Sequence, residues 1–195
     1  MRLPVTIDPR YHDAVLLDLD GALTSEVPLF GATVDLARKL RSIGVAAAAY
    51  SSSPQCRQAL QDAGIDDLFG VCIDGTAGGR GTAENPDPAV LLDAAGQLGV
   101  RPQRCVVVEN SAAGVAAGRD GGFALVVGID GTGSADELVR HGADVVLDDL
   151  ADVAVRTGDT RISKLPNALE SYGQLIGITS ARESMLFLDY DGTLS

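Results

Sequence analysis

Six short apolar runs recur along the chain, at residues 14–17 (AVLL), 45–50 (VAAAAY), 71–73 (VCI), 105–108 (CVVV), 124–127 (ALVV) and 144–147 (DVVL). They are aliphatic and do not alternate with polar residues, so each is expected to be a parallel strand buried on both faces. Between them the spacing turns helical. Phe30, Val34, Ala37 and Leu40 share one face, as do Val90, Leu91, Ala94 and Leu98. Gly44, Gly64 and Gly99 follow last helical turns, where a left-handed cap residue is wanted. Strands alternating with helices predict an α/β fold with a doubly wound, Rossmann-like parallel sheet. In such sheets a ligand sits beyond the carboxyl ends of the strands, so the loops after the runs are the places to look for chemistry.

The pattern changes after residue 155. Residues 1–155 read as one α/β domain, and 156–183 as a linker with one helix. That helix falls at 166–176, with Pro166 in its first turn and Ala168, Leu169, Tyr172 and Ile176 at helical spacing. Residues 185–188 start a new buried strand, so 184–195 reads as the opening of a second domain. The glycine-rich stretch 74–86 (DGTAGGRGTAENP) is expected to be a surface connection.

Composition narrows the function. The chain has 195 residues, 46% of them apolar and only 4% aromatic, which suits an Ala-, Val-, Leu- and Ile-built core. A formal charge of −12 removes nucleic acid from the expected partners. An acidic protein can still take a phosphorylated substrate if a metal ion or local cations offset the repulsion. The cysteines, Cys56, Cys72 and Cys105, form no CxxC pair and are expected to be reduced thiols. The N-terminus lacks the apolar core of a signal peptide, and no apolar run is long enough to span a bilayer. The expectation is a cytoplasmic chain with no membrane partner.

Four constellations carry candidate chemistry. In VLLDLDGALTS, Asp18 and Asp20 close the first strand, and a spacing of two puts both carboxylates on one side of an extended backbone. One can attack phosphorus while the other trades protons with the leaving group and with water. Mg²⁺ would offset their mutual repulsion. In AAYSSSP, Ser51 follows the second run directly, and a hydroxyl with backbone N–H groups at a helix start near Pro54 can hold phosphate oxygens or simply cap the helix. In CVVVENSAAG, Glu109 and Asn110 end a strand and Ser111 can cap the next helix; an acid there would complete a magnesium site with Asp18. The fourth, MLFLDYDGTLS, repeats the first, with Asp189 for Asp18, Asp191 for Asp20 and Gly192 for Gly21. His12 and His141 are far apart and lack metal-ligand spacing; His141 suits a helix C-terminus.

With the phrases LQDAGIDDLFG, NPDPAVLLDAAGQLGV and RCVVVENSAAGVAAGRDGGFALVVGI, these motifs resemble the haloacid dehalogenase (HAD) superfamily, in its beta-phosphoglucomutase-like branch. The resemblance implies that Asp18 holds the nucleophile position, Asp20 the acid/base position and Ser51 the phosphate-binding hydroxyl position. It implies a Mg²⁺ site drawn from Asp18, Asp20, Glu109 and Asn110. The stretch from Asp18 to Ser51 has room for one helix only, so a HAD-like core without an inserted cap domain is expected. Two positions depart from the family. Asn85 stands where a lysine is expected before Pro-x-Pro, and Asn110 where a second acid is expected. Arg80 could supply the missing cation. Loss of one preorganised electrostatic donor commonly costs roughly a hundred- to a thousand-fold in rate.

MLFLDYDGTLS resembles the opening strand of the trehalose-6-phosphate phosphatases, and the residues before it resemble the N-terminal extension of some bacterial members. That implies a small phosphorylated sugar, trehalose 6-phosphate, as substrate, and a longer parent protein in which Asp189 and Asp191 open a second site. Two functions are therefore expected to compete: a Mg²⁺-dependent phosphatase of trehalose biosynthesis, and a catalytically degenerate module with an assembly or regulatory role.

Overall fold

Each of the six aliphatic runs forms a strand, displaced at most by a residue or two from its sequence boundaries. In the computed structural model, which describes residues 5–20, 28–74, 87–131 and 133–157 (28–30 for their backbone alone), these are β2 (Ala14–Asp18), β3 (Ala46–Tyr50), β4 (Val71–Ile73), β5 (Cys105–Glu109), β6 (Leu125–Ile129) and β7 (Val145–Leu147). Helices α1 (Pro28–Ser42), α2 (Cys56–Asp62), α3 (Ala89–Gln97), α4 (Ala112–Asp120) and α5 (Ala135–Arg140) alternate with them. Contacts divide the chain into units Met1–Thr157 and Gly158–Ser195, and every described residue belongs to the first. The expected helix at 166–176, the strand at 185–188 and the loop residues 75–86 lie outside the described residues.

The six strands are all parallel, in the order β4-β3-β2-β5-β6-β7. The chain winds outward from β2 through β3 to β4, then returns to the other side of β2 and winds out through β5, β6 and β7. The reversal places a topological switch point between β2 and β5, where a doubly wound sheet opens a crevice.

Period two along the strands explains why the runs have no polar positions. Val15 and Leu17 of β2 pack with Val34, Ala37 and Leu40 of α1 and with Leu60 of α2. Ala14 and Leu16, on the opposite face, pack with Leu91 and Ala94 of α3, Val115 of α4 and Leu138 of α5. Both faces are covered, so a polar residue within the ladder would be buried without a partner. The turns after α1, α2 and α3 close at Gly44, Gly64 and Gly99, with φ of 75°, 64° and 69°. A side chain would be strained there.

One strand pair has no counterpart in the hydrophobic pattern. Thr6–Ile7 (β1) pairs in parallel with Ala154–Val155 (β8) beside the main sheet. Two residues per strand are too few to show a period. The pair is clasped by Asp8, 6% exposed, which accepts from Arg10 Nη2 at 2.6 Å and from Arg156 Nη1 at 3.2 Å. No described helix is long and apolar enough to cross a membrane.

Candidate active site

At the carboxyl end of β2 the ladder runs one residue past the strand: the Leu19 amide donates to Tyr50 O at 2.9 Å, and the Leu19 side chain is buried. Leu19 thereby anchors the chain between the two carboxylates. The Asp20 amide donates back to Asp18 Oδ1 at 3.0 Å, a local turn at the end of the strand.

Asp20 faces the turn after β3. Its Oδ1 accepts from Ser51 Oγ at 2.6 Å and from the Ser52 amide at 2.7 Å. Ser51 Oγ in turn accepts from the Ser53 amide at 3.0 Å, and the Ser51 amide donates to Ile73 O at 3.0 Å. The side chain of Ser51, 7% exposed, is therefore held in place by Asp20 and its own turn. The helix expected near Pro54 begins at Cys56, after a turn, because Ser51–Ser53 is occupied in this network.

Glu109 closes β5 and is 1% exposed. Its Oε1 accepts from Tyr50 Oη at 2.8 Å and its Oε2 from Ser111 Oγ at 3.1 Å. Ser111 also caps α4, as its sequence position suggests, by accepting from the Gly114 amide at 3.0 Å. Gly114 leaves the space the carboxylate fills: a Cβ there would lie 1.9–2.2 Å from its atoms. Asn110 is exposed, and its amide donates to Asp20 O at 3.5 Å. Asp18, Glu109 and Asn110 line one pocket with Thr33, at the switch point between β2 and β5.

The structure thus brings Asp18, Asp20, Ser51, Glu109 and Asn110 to one end of the sheet. Asn85, Arg80, Asp189 and Asp191 lie outside the described residues. Sequence reading missed Tyr50, which looked like the last residue of an apolar strand. A phenol ending an otherwise aliphatic run was the available signal, since a buried Tyr hydroxyl needs a partner.

The resemblance implies Mg²⁺, and the arrangement can be tested against it. Oxygen donors are the right chemistry. Yet among the described residues no group of three or more His, Cys, Asp or Glu side chains is placed to hold a metal ion. Asp20 is drawn to Ser51 and Ser52, and Glu109 to Tyr50 and Ser111. As arranged, these residues do not fit the ion.

Comparison with known proteins bears on the same residues. The family model of the haloacid dehalogenase-like hydrolases matches residues 25–122, a span that contains Ser51, Glu109 and Asn110 and begins after Asp20. A trehalose-phosphate phosphatase of Mycobacterium leprae is 47% identical over 197 residues, covering 99% of this chain and 44% of that protein. An uncharacterized glycosyl hydrolase of Mycobacterium tuberculosis is 41% identical over 174 residues, covering 89% of this chain and 13% of that protein. The chain therefore spans less than half the length of these relatives. Among solved structures, a HAD family hydrolase from Deinococcus radiodurans with bound phosphate and sodium superposes with a TM-score of 0.58 at 24% identity, covering 86% of this chain and 97% of that one. That likeness shows the fold.

Proposed function

The chain belongs to the haloacid dehalogenase-like hydrolases, and from that premise we propose that it is part of a trehalose-6-phosphate phosphatase, hydrolysing the phosphomonoester of a phosphorylated sugar in trehalose biosynthesis. A relative of that name aligning over 99% of the chain supports the reading. The compartment proposed is the cytoplasm, and the cofactor of the full-length enzyme is Mg²⁺. The domain layout proposed is 1–155, a linker to 183, and a second HAD domain opening at 184.

The observation that carries the reading is the 2.6 Å bond from Ser51 Oγ to Asp20, beside Asp18 at the end of β2. In the proposed reaction Asp18 attacks phosphorus and the phosphate–sugar bond breaks, leaving an aspartyl phosphate. Asp20 gives a proton to the leaving sugar oxygen, then takes one from the water that hydrolyses the intermediate. The Ser51 turn offers its hydroxyl and amides to the phosphate oxygens. Because Glu109 and Asn110 do not gather with the aspartates as a cation site, no step is assigned to the metal. Turnover at this site is expected to be slow.

A second reading has its own observations. Glu109 is engaged by Tyr50 and Ser111 rather than facing a cation, and an amide stands at 110. A related stretch makes up 13% of a protein named as a glycosyl hydrolase, as a reusable module would. In this reading residues 1–155 form a degenerate HAD-like module that supports assembly or regulation, and Asp189 with Asp191 serves the chemistry.

Substrate profiling tests the proposal. Phosphate release from trehalose 6-phosphate should exceed release from glucose 6-phosphate and an aryl phosphate. Equal rates on all three would reject trehalose 6-phosphate as the substrate, and in the full-length protein a loss on Asp189→Asn with none on Asp18→Asn would favour the module.

A further inference from the structure

Cys56 and Cys72 are 16 positions apart in the chain, yet their sulfurs lie 3.6 Å from each other. Cys56 opens α2 and is fully buried. Cys72 is the middle residue of β4, the edge strand of the sheet, and is partly exposed. A disulfide needs the sulfurs at about 2.05 Å, so the pair must draw closer than it stands here to bond. Cys105 is placed differently: it is buried in β5, and its thiol donates to Arg101 O at 3.3 Å.

We propose that Cys56 and Cys72 form a reversible oxidation site, closing to an intrachain disulfide when the chain meets a peroxide and reopening with a thiol reductant. Cys72 attacks first, because it is the partner solvent reaches. Its thiol titrates lower than usual, held down by the hydrogen bond with Cys56 and then by the nearby Arg57, against opposing effects of burial and Asp74. Arg57 Nη2 is fixed there by donating to Cys72 O at 2.7 Å. Cys56 is pushed the other way by the same sulfur contact, by burial and by the charges of Asp20 and Asp74.

The steps balance. The Cys72 thiolate attacks one peroxide oxygen; an S–O bond forms, the O–O bond breaks, and the leaving hydroxide takes a proton to become water. Sulfur has lost two electrons to the peroxide and stands as a sulfenic acid. The Cys56 sulfur then attacks the Cys72 sulfur; the S–S bond forms, the S–O bond breaks, and the departing hydroxide leaves as water with the Cys56 proton. Two thiols and one peroxide give one disulfide and two waters.

The bridge would act on the candidate site through the chain itself. The turn carrying Ser51 runs directly into Cys56, whose amide donates to Ser53 O at 3.3 Å. Oxidation would tie the end of that turn to the edge strand.

The test counts thiols on the full chain by intact mass after alkylation in denaturant. The reduced chain should take three labels, one per cysteine. After brief exposure to dilute hydrogen peroxide it should take one, on Cys105, with a peptide map showing Cys56 joined to Cys72 and dithiothreitol restoring all three. Cys56→Ser should stop at the sulfenic acid, trapped on Cys72 by dimedone. Three labels remaining after peroxide, an intermolecular link, or over-oxidation of Cys72 in wild type without the bridge would overturn the proposal. The wild-type thiol count decides the matter even if Cys56→Ser fails to fold.

Discussion

Tyr50 Oη donates to Glu109 Oε1 at 2.8 Å, joining the end of β3 to the end of β5 across the intervening β2. The phenol and the serine hydroxyl of Ser111 are what allow a carboxylate to sit 1% exposed at the head of the sheet.

Removing the phenol oxygen should therefore destabilise the fold. Tyr50→Phe keeps the ring but takes one donor from a buried carboxylate, a loss of about 1.5–3 kcal/mol for a hydrogen bond to a charged group. Urea denaturation measures it. A change below about 0.5 kcal/mol would mean that Glu109 does not depend on Tyr50.

Two glycines should respond in opposite directions to alanine. Gly114→Ala sets a methyl 1.9–2.2 Å from the Glu109 carboxylate and should cost about 1–3 kcal/mol of stability. Gly96→Ala, inside α3 with nothing within 4 Å of the new methyl, should stabilise by about 0.5–1 kcal/mol. Thermal melts of the two variants check the sign of each.

Acid should open the β1–β8 clasp. Hydrogen bonding from Arg10, with help from Arg156, holds the Asp8 carboxyl at about 2, below its ordinary 3.8. A lowered carboxyl contributes stability above the unfolded value and loses it as pH falls through the folded one. Wild type should lose that contribution between about pH 4 and pH 2, and Asp8→Asn should show a flatter acid limb in the same window. Superimposable stability–pH curves would contradict the role given to Asp8.

Much of this architecture is legible in the sequence. Non-alternating aliphatic runs mark strands buried on both faces, and all six appeared, because a residue within β2 or β5 has no solvent side on which to be polar. Gly44, Gly64 and Gly99 marked helix ends because only glycine takes their positive φ without strain. The grouping of Asp18, Asp20, Ser51 and Glu109 followed from their places at strand ends, which a parallel sheet gathers on one edge. The partners of those side chains were less legible. Nothing local to residue 50 says that Tyr50 reaches Glu109 two strands away, and nothing local to Cys56 says that it meets Cys72. Such pairings depend on strand order, which β3 and β5 acquire only when the sheet assembles. The β1–β8 pair was missed because two residues carry no period.

Ser51 should matter through its hydroxyl. Ser51→Ala removes the 2.6 Å donor to Asp20 and leaves that oxygen the Ser52 amide. Phosphate release should fall about 10²-fold, while Ser51→Thr, which keeps the hydroxyl, should restore most of it. Equal rates for Ser51→Ala and wild type would remove Ser51 from the proposed phosphate-binding position.

The most direct measurement is phosphate release from trehalose 6-phosphate by this chain, with and without Mg²⁺, for wild type and Asp18→Asn. The account predicts slow release that drops to background when Asp18 loses its nucleophilic oxygen and that does not rise when Mg²⁺ is added. Release that is unchanged in Asp18→Asn, or absent from wild type under every condition, would contradict it and give the domain to the module reading.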